Sequence, residues 1–324
     1  MINIGHGDPT IFRTWWQNNS IAPPIFPSDL SIFEYQEDEH EELSVAVHKF
    51  HKIFGTDCST SSLVYGNGST QVINAILYAI AKLEQQKIIV AYEPPVYMLM
   101  HEFLDNCKLL EVTHDITRTD IDVEIVIDPN NPSGESRSHK SKAKYILYDR
   151  AYNWPIYLGN TLPSPTSNNP NHITVYTISK ALGMGGLRLG WAFINDTVLL
   201  KEIHRALFVI GICPSSYGIK AVTKILTQFN NTSSLVLSYT HNIQKEINLR
   251  RRELIKCKDF SVTNSTGPYA WIKSHDGSDI AALLLNKYQI KVYSGTQFAY
   301  SPEYARLSLI CSDEEFYPAV HRMQ

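Results

Sequence analysis

One lysine, Lys180, stands in the segment of this sequence that most clearly suggests chemistry. It follows a strand-like run over residues 172–178 and comes directly after Ser179, just before a stretch rich in glycine. Eight residues later comes Arg188, flanked by Gly-Gly-Leu and Leu-Gly. A lysine amine can form a Schiff base with an aldehyde cofactor, while nearby hydroxyl groups and an arginine can hold the cofactor's phosphate. We therefore predict that this segment anchors a phosphorylated aldehyde.

The segment around Lys180 resembles the cofactor-lysine segment of pyridoxal 5'-phosphate (PLP) enzymes of the aspartate aminotransferase fold type. PLP also needs groups that hold its aromatic ring, and the substrate needs a group that binds its carboxylate. These groups have to be brought to Lys180 by the elements of the fold.

Apolar periodicity predicts that strands and helices alternate along the first two thirds of the chain. Residues 69–86 place apolar side chains on one helical face. Strand-like runs occur at 62–65, 87–91, 123–127, 145–148 and 173–177. This alternation predicts an α/β fold, with a mostly parallel sheet and helices on both faces.

The pattern changes near residue 236. A charged helix is predicted over about 241–256, followed by a strand at 269–272, a helix at 280–288, and strands at 290–293 and 304–310. We predict a large PLP-binding domain over 43–235. The N-terminal arm, 1–42, is predicted to join residues 236–324 in a smaller α+β domain.

Two of the predicted strands end in polar groups that suit an aromatic cofactor. Asp149 ends one of them, and its carboxylate could keep a pyridine nitrogen protonated, while Tyr152 could reach the phenolic oxygen. Asn131, in the turn after 123–127, could donate to the same oxygen. Ligands of open α/β sheets bind at the carboxyl ends of the strands. The alternatives are a strand-end aspartate that caps the next turn and an ordinary Pro/Asn/Gly turn.

A glycine turn predicts an anion site at the start of a helix. Gly66-Asn-Gly68 leads into Ser69 and Thr70, where backbone N–H groups and the helix dipole would attract a phosphate. The alternative is an ordinary helix N-cap. Dinucleotide binding is not predicted, because Gln71 interrupts the glycine fingerprint and no acidic residue stands where a ribose contact requires one.

Two further residues complete the predicted site. Tyr97, after a Pro-Pro turn, could stack on the cofactor ring, although it could equally be a core tyrosine. Arg306, on an alternating strand, could bind an α-carboxylate with two parallel donors. Its alternative interpretation is a surface ion pair.

The order of these motifs resembles fold-type-I PLP enzymes and, more narrowly, the tryptophan aminotransferase and alliinase group. The likeness covers nearly the whole chain. It rests on His6-Gly-Asp-Pro-Thr10, Gly68-Ser-Thr-Gln71, Pro129-Asn-Asn-Pro132, Trp154-Pro155, Pro268-Tyr-Ala-Trp271, Ser294-Gly295 and Arg306-Leu-Ser308. The chain is shorter than most of that group, mainly near its start and between Gly134 and Tyr145, so the substrate walls there are expected to differ.

The resemblance implies a role for each candidate residue. Lys180 would form the Schiff base, and Arg306, with Asn131, would bind the substrate. The residues that would hold the ring are Asp149, Asn131, Tyr152 and Tyr97. The residues that would hold the phosphate are Gly68, Ser69, Thr70, Thr177, Ser179 and Arg188. The resemblance also implies a homodimer with shared active sites, in which Tyr35 reaches the phosphate bound by the neighbouring subunit.

Three functions follow from this set of residues. The first is transamination from an L-amino acid to a 2-oxo acid, with Lys180 moving the proton and Asp149 stabilising the charge that develops. An aromatic or bulky substrate is suggested by residues that could equally be core: Phe12, Trp15, Trp16 and Phe33. The second is elimination by an alliinase-like carbon–sulfur lyase. The sequence contains no cysteine-rich module like that of the alliinases, which favours transamination. The third is a binding or regulatory module, which the complete set of cofactor residues disfavours.

The composition excludes several other classes. The chain has 324 residues, 44% hydrophobic and 19% charged, with a net charge of −3, so neither a nucleic acid nor a membrane is expected as a partner. Its five scattered cysteines, and a start unlike a signal peptide, predict a reducing, cytoplasmic location.

No metal site is predicted either. His48 and His51 lie three apart on a predicted helix, but nothing completes a set of ligands, so both are expected to be solvated. The run Arg250-Arg-Arg252 is likewise expected to form an exposed helix face.

Overall fold

The computed structural model describes residues 1–19, 40–56, 58, 61–158 and 169–324. Its helices are α1 Phe12–Asn18, α2 Glu41–Ile53, α3 Ser69–Glu84, α4 Met98–Asn106, α5 Pro155–Leu158, α6 Ile178–Ala181, α7 Thr197–Gly211, α8 Ser216–Asn230, α9 Ser233–Ile255, α10 Ile280–Tyr288 and α11 Asp313–Met323. Short 3-10 turns cover Gly185–Leu187 and Gly295–Phe298. Its strands are β1 Ile2–Asn3, β2 Ser62–Gly66, β3 Ile88–Ala91, β4 Leu110–Thr113, β5 Val123–Ile127, β6 Tyr145–Asp149, β7 His172–Thr177, β8 Gly190–Ile194, β9 Phe260–Val262, β10 Tyr269–Ser274, β11 Ile290–Lys291, β12 Tyr293–Ser294 and β13 Tyr304–Ser308.

A large mixed sheet forms the centre of the fold. Within the described residues it contains seven strands in the order β2-β8-β7-β6-β5-β3-β4. Strand β8 runs antiparallel to both of its neighbours, and the pairs from β7 to β4 are parallel. Every residue of β5 and β6 is buried, as expected of strands covered on both faces. The predicted α/β fold with a mostly parallel sheet is confirmed.

Helix α3 shows how the sequence fixes one side of this sheet. Its buried stripe includes Val72, Ile76 and Ile80, spaced at the helical period, and the helix packs against α7 and β8. It begins directly after Gly68, whose φ of 84° lets the chain turn sharply from β2 into the helix. The start of α3 is therefore held at the end of β2.

A smaller antiparallel sheet has the order β12-β13-β10-β9. In it, Trp271 of β10 lies opposite Arg306 of β13. The N-terminal strand β1 pairs with β11, and the chain then runs beside β13, where the Ser308 amide donates to the Ile4 carbonyl at 2.6 Å. The strands of the large sheet fall within 43–235 and those of the small sheet within 236–324. The division into two domains stays a prediction.

Two residues expected to be solvated are buried instead. Arg250, at 0% exposure, forms ion pairs with Glu246 and Asp313 from the middle of α9. His51, at 1% exposure, accepts a hydrogen bond from the Trp191 indole at 3.1 Å, and burial lowers its pKa to about 3. Both expectations were wrong because the helix face that carries each residue packs into the core.

None of the described helices combines the length and the apolarity that crossing a membrane requires.

Candidate active site

The functional side chains meet at one edge of the large sheet. Strands β2, β5, β6 and β7 all end there, and β8 begins there. The register places Ile127 beside Asp149, and Gly190 beside both Gly66 and Thr177. Loops leaving these strands therefore emerge close together, as expected of a ligand site in an open α/β sheet.

Lys180 lies in the short helix α6, directly after β7, and is half-buried. Its Nζ donates to the Gly7 carbonyl at 2.5 Å, and its own carbonyl accepts a hydrogen bond from the Tyr157 hydroxyl at 2.9 Å. The turn before it is closed by Thr177, whose Oγ1 accepts from the Ser179 amide at 3.2 Å. The lysine is thus fixed at both its backbone and its amine.

An anion cradle lies at the start of α3. The exposed Arg188 donates to the Asn67 carbonyl at 3.2 Å, and a Cβ built on Gly68 would lie 2.5 Å from its Nη2. Ser69 and Thr70 supply first-turn amides, which have no acceptor within a helix. Amides at a helix start, together with a guanidinium, suit a phosphate. Only glycine at position 68 leaves room for the Arg188 guanidinium beside the backbone. The amides and the guanidinium together fit the phosphate of PLP.

The end of β6 supplies a buried carboxyl group. Asp149 is 6% exposed, accepts a hydrogen bond from the Ala151 amide at 3.1 Å, and forms no ion pair with a cation of the described residues. Burial raises its pKa to about 6, since a lone charge is costly to bury. A protonated pyridine nitrogen would provide the missing positive charge.

Asn131 and Tyr152 form a buried polar pair. The Asn131 amide donates to the Tyr152 hydroxyl oxygen at 3.1 Å. Burial raises the pKa of Tyr152 well above its usual value, so the phenol stays protonated and can donate. The pair is suited to bind an oxygen on an aromatic cofactor.

Arg306 reaches this pair from the small sheet. It is 2% exposed, and it donates to the Asn131 side-chain oxygen at 2.8 Å and to the Gly5 carbonyl at 2.9 Å. Its Nε has no hydrogen-bond partner, and no carboxylate among the described residues forms an ion pair with it. Three aromatic rings lie around its guanidinium carbon, with centroids at 4.1, 5.2 and 5.0 Å: Tyr269, Tyr293 and Phe298. It is therefore not a surface ion pair but a buried cation without an anion.

Tyr97 lies at the border of the same site. It is half-buried at the start of α4, and burial raises its pKa to about 12, with the charges of Arg306 and Asp149 close enough to act on it. It also packs against the core next to the large sheet, so its stacking on the cofactor ring stays a prediction.

The structure thus brings together every predicted site residue except Tyr35, which lies outside the described residues, as does Phe33. Tyr269 and the carbonyls of Gly5 and Gly7 also contact this site, although the sequence predicted no role for them. Gly7 and Tyr269 occur in the motifs His6-Gly-Asp-Pro-Thr10 and Pro268-Tyr-Ala-Trp271 that carry the resemblance, whereas no sequence signal pointed to Gly5. Among the residues that the structure describes, no three His, Cys, Asp or Glu side chains are grouped as metal ligands.

Comparisons with known proteins show the family and the fold of this chain. A family model described as allinase matches residues 2–324. Tryptophan aminotransferase-related protein 2 of Arabidopsis thaliana is 26% identical, over 100% of this chain and 81% of its own length. Alliin lyase 2 of Allium sativum is 22% identical, over 97% of this chain and 74% of its own. The aspartate aminotransferase of Rhizobium meliloti superimposes with a TM-score of 0.73 at 18% identity, covering 99% of this chain and 90% of its own.

Proposed function

This chain belongs to the allinase family of fold-type-I PLP enzymes, and we propose that it is an aminotransferase that moves the amino group of an L-amino acid to a 2-oxo acid. Its cofactor is pyridoxal 5'-phosphate. The observation that carries the proposal is the meeting of a lysine amine, an anion cradle and a buried carboxyl group with Arg306, a buried cation that has no anion of its own.

PLP, when bound, supplies a reactive aldehyde and an electron-withdrawing ring. In our proposal Lys180 binds that aldehyde. The phosphate would be held by the cradle residues: Gly68, Ser69, Thr70, Thr177, Ser179 and Arg188. Thr177 and Ser179 precede the lysine in the same turn, and the Thr177 hydroxyl donates to the Ser179 hydroxyl oxygen at 3.1 Å, so the proposed phosphate contacts and the reactive amine share one turn.

The ring would be held from three directions. Asp149 would pair with the ring nitrogen and keep it protonated, which gives the buried carboxylate its missing partner. Asn131 and Tyr152 would donate to the phenolic oxygen, and Tyr97 would lie against the ring face. The three polar groups are buried, and each has the charge or the donor that its proposed role requires.

The substrate carboxylate would bind at Arg306, whose unpartnered Nε and remaining N–H groups offer parallel donors. Once released, the Lys180 amine would carry a proton to and from the substrate Cα, in reach of the Gly7 carbonyl that orients it.

The side chain that supports an aromatic substrate is not one of those that the sequence suggested. Phe12 and Trp15 are buried and pack against Tyr239, so they are core residues. Phe298, in contrast, lies beside Arg306 and packs on Trp271, with ring centroids 5.7 Å apart. An apolar wall next to a carboxylate anchor suits a bulky apolar amino acid.

The second candidate is elimination from a substrate with a β leaving group, as a carbon–sulfur lyase. It is favoured by the 22% identity to alliin lyase 2. The same side chains serve both reactions, because both begin with removal of the Cα proton.

We also propose a homodimer. At the end of α7 four apolar side chains are between 40% and 69% exposed: Phe208, Val209, Ile210 and Ile212. This end of α7 adjoins the anion cradle, because a Cβ on Gly211 would lie 2.6 Å from the Gln71 amide nitrogen. A second subunit would cover this patch, and the predicted contribution of Tyr35 belongs to the same proposal. Five free cysteines support a reducing, cytoplasmic location.

Two measurements on the PLP-loaded protein test the cofactor position and the reaction. Borohydride should fix PLP to Lys180, located by mass spectrometry, and Lys180→Ala should abolish the adduct. In a separate sample without borohydride, a panel of L-amino acids should convert bound PLP to its amine form. Release of pyruvate and ammonia without that conversion would instead support the lyase, and an adduct at another lysine would contradict the site.

A further inference from the structure

Tyr269, the first residue of β10, lies between the parts of the proposed site but has no role in it so far. It is 2% exposed. Its hydroxyl oxygen is 3.2 Å from that of Tyr152, and the Arg306 guanidinium carbon is 4.1 Å from its ring centroid. A Cβ on Gly7 would lie 2.7 Å from this hydroxyl and 3.6 Å from the Lys180 Nζ. Tyr269 therefore contacts both the ring-holding pair and the carboxylate anchor.

The backbone of Tyr269 is held from two sides. Arg251 of α9 donates to the carbonyls of Gly267 and Tyr269, at 3.0 and 3.2 Å. In the sheet, Tyr269 lies opposite Ser308 of β13. The Gly267 amide also donates to the carbonyl of Tyr157, whose hydroxyl bonds Lys180. The position of the hydroxyl is thus set by α9, the small sheet and the lysine turn together.

The two phenols differ in acidity. Burial raises the pKa of Tyr269, but the positive charges of Lys180 and Arg306 and the hydrogen bond with Tyr152 outweigh it, so its pKa is lowered overall. The pKa of Tyr152 is raised by burial. Either hydroxyl of this pair can donate to the other. In the proposed site Tyr152 gives its single proton to the cofactor oxygen, so Tyr269 has to be the donor between the two phenols.

The Tyr152 oxygen then accepts two hydrogen bonds, one from Asn131 and one from Tyr269. A hydroxyl oxygen has two acceptor positions and one proton. With both positions filled, the direction of that proton is fixed.

We propose that Tyr269 is a positioning residue that points the Tyr152 proton at the phenolic oxygen of the bound cofactor. The inference rests on the proposed function, because it needs PLP bound at Lys180. A donor at the phenolic oxygen disfavours the additional proton shared between that oxygen and the lysine nitrogen. Without Tyr269 the donor is less well aligned, and the bound cofactor holds its proton to higher pH.

The test is a pH titration of the absorbance of the PLP-loaded protein without substrate. Tyr269→Phe keeps the ring over Arg306 and removes only the hydroxyl. We expect the acid dissociation constant of the bound cofactor to fall about two- to tenfold, the range of one neutral hydrogen bond. In a Tyr152→Phe background the same change should have no effect, since the group it orients is gone. Tyr293→Phe, which removes a hydroxyl from another ring beside Arg306, should leave the midpoint unchanged.

Gly7→Ala gives a second route, because its methyl group would displace the Tyr269 hydroxyl without altering that side chain. It should raise the titration midpoint in the same direction as Tyr269→Phe. A wild-type midpoint in both variants, or equal shifts in the presence and absence of Tyr152, would overturn the inference and leave the proposed function standing. Failure of the wild-type protein to bind PLP at Lys180 would overturn both.

Discussion

Two arginines in this molecule are almost equally buried, but their positive charges are compensated differently. Arg250 of α9 is 0% exposed and Arg306 of β13 is 2% exposed. Arg250 forms ion pairs with Glu246 and Asp313, and its Nη1 donates to the carbonyls of Leu309 and Cys311 at 3.2 and 2.6 Å. The Arg306 guanidinium donates to one side-chain amide oxygen and one backbone carbonyl and contacts three aromatic rings, but it pairs with no carboxylate among the described residues.

This difference separates a buried charge that is compensated within the described residues from one that is not. A buried cation is costly unless an anion or several acceptors compensate it. Arg250 is compensated within the chain, so it stabilises the packing of α9 on the residues before α11. Arg306 is held in place by aromatic contacts but keeps its charge uncompensated, which favours an anionic ligand.

The largest effect should come from Arg306→Lys. An ammonium cannot supply parallel donors to a carboxylate, so we expect kcat/KM to fall about 1,000-fold for every amino acid and for the 2-oxo acid half-reaction. Preference among side chains should barely change. Single-turnover rates measured with several substrates check this, and a loss confined to one side chain would return Arg306 to a structural role.

Arg250→Met should have the opposite profile. Two buried carbonyls lose their donor, whereas Asp313 is largely exposed and can be solvated, so we expect a loss of about 4 kcal/mol in the free energy of unfolding. The activity of the folded fraction should persist. Arg306→Met, the matched variant, also leaves two buried acceptors without a donor, the Asn131 side-chain oxygen and the Gly5 carbonyl, but it removes a buried charge that has no anion, so we expect a smaller loss than for Arg250→Met. Denaturant unfolding of both proteins provides the comparison, which would fail if the two losses were equal.

Asp149 extends the comparison to a buried anion without a cation. Its pKa is raised from 3.8 to about 6, so between about pH 4 and pH 6 the folded apoprotein binds more protons than the unfolded chain. Stability therefore falls as pH rises through this window, and the full cost, about 3 kcal/mol, is present above it. Asp149→Asn should stabilise the apoprotein by about that amount at pH 7 and by nothing near pH 4. Equal stabilisation at both pH values would show that charge is not the cause.

A third arginine, Arg188, is exposed, and its role depends on how closely the backbone approaches it. Gly68→Ala would place a methyl group 2.5 Å from its Nη2 at a φ of 84°, which a side chain rarely adopts. We expect PLP affinity to fall about tenfold, corresponding to roughly 1.4 kcal/mol. Gly186→Ala is the control, because nothing lies within 4 Å of its added Cβ. Titration of both apoproteins with PLP measures the difference, and equal affinities would remove Gly68 from the cradle.

Much of the fold was predictable because the apolar runs and turns of the sequence match the strands and loops of the large sheet. The strands that end at Asp149 and near Asn131 are short, apolar and bounded by turns, so both the sheet and its functional edge follow from the sequence. The small sheet was predicted in part: β10 and β13 were expected, 290–293 forms two short strands rather than one, and β9 was not expected.

The buried role of Arg250 was missed for a physical reason. It lies on the apolar stripe of α9 at helical spacing from Ile243, Ile247 and Leu254, a signal that its charged neighbours obscured. Part of its compensation comes from Asp313, 63 positions along the chain. The Tyr269 hydroxyl depends in the same way on a contact with Tyr152 across 117 positions. Such contacts form only when distant segments pack together, so no local sequence pattern predicts them.

The hydrogen bond between Arg306 and the Gly5 carbonyl joins positions 301 residues apart, and this has a consequence for synthesis on the ribosome. The cofactor cradle and Lys180 lie between 66 and 190, so they emerge while more than a hundred residues remain to be translated. The carboxylate anchor can close against the start of the chain only after β13 has left the exit tunnel. During translation the nascent chain therefore presents its proposed cofactor groups before the proposed substrate anchor is in place, and the Gly5 carbonyl has no Arg306 to bind until β13 has emerged.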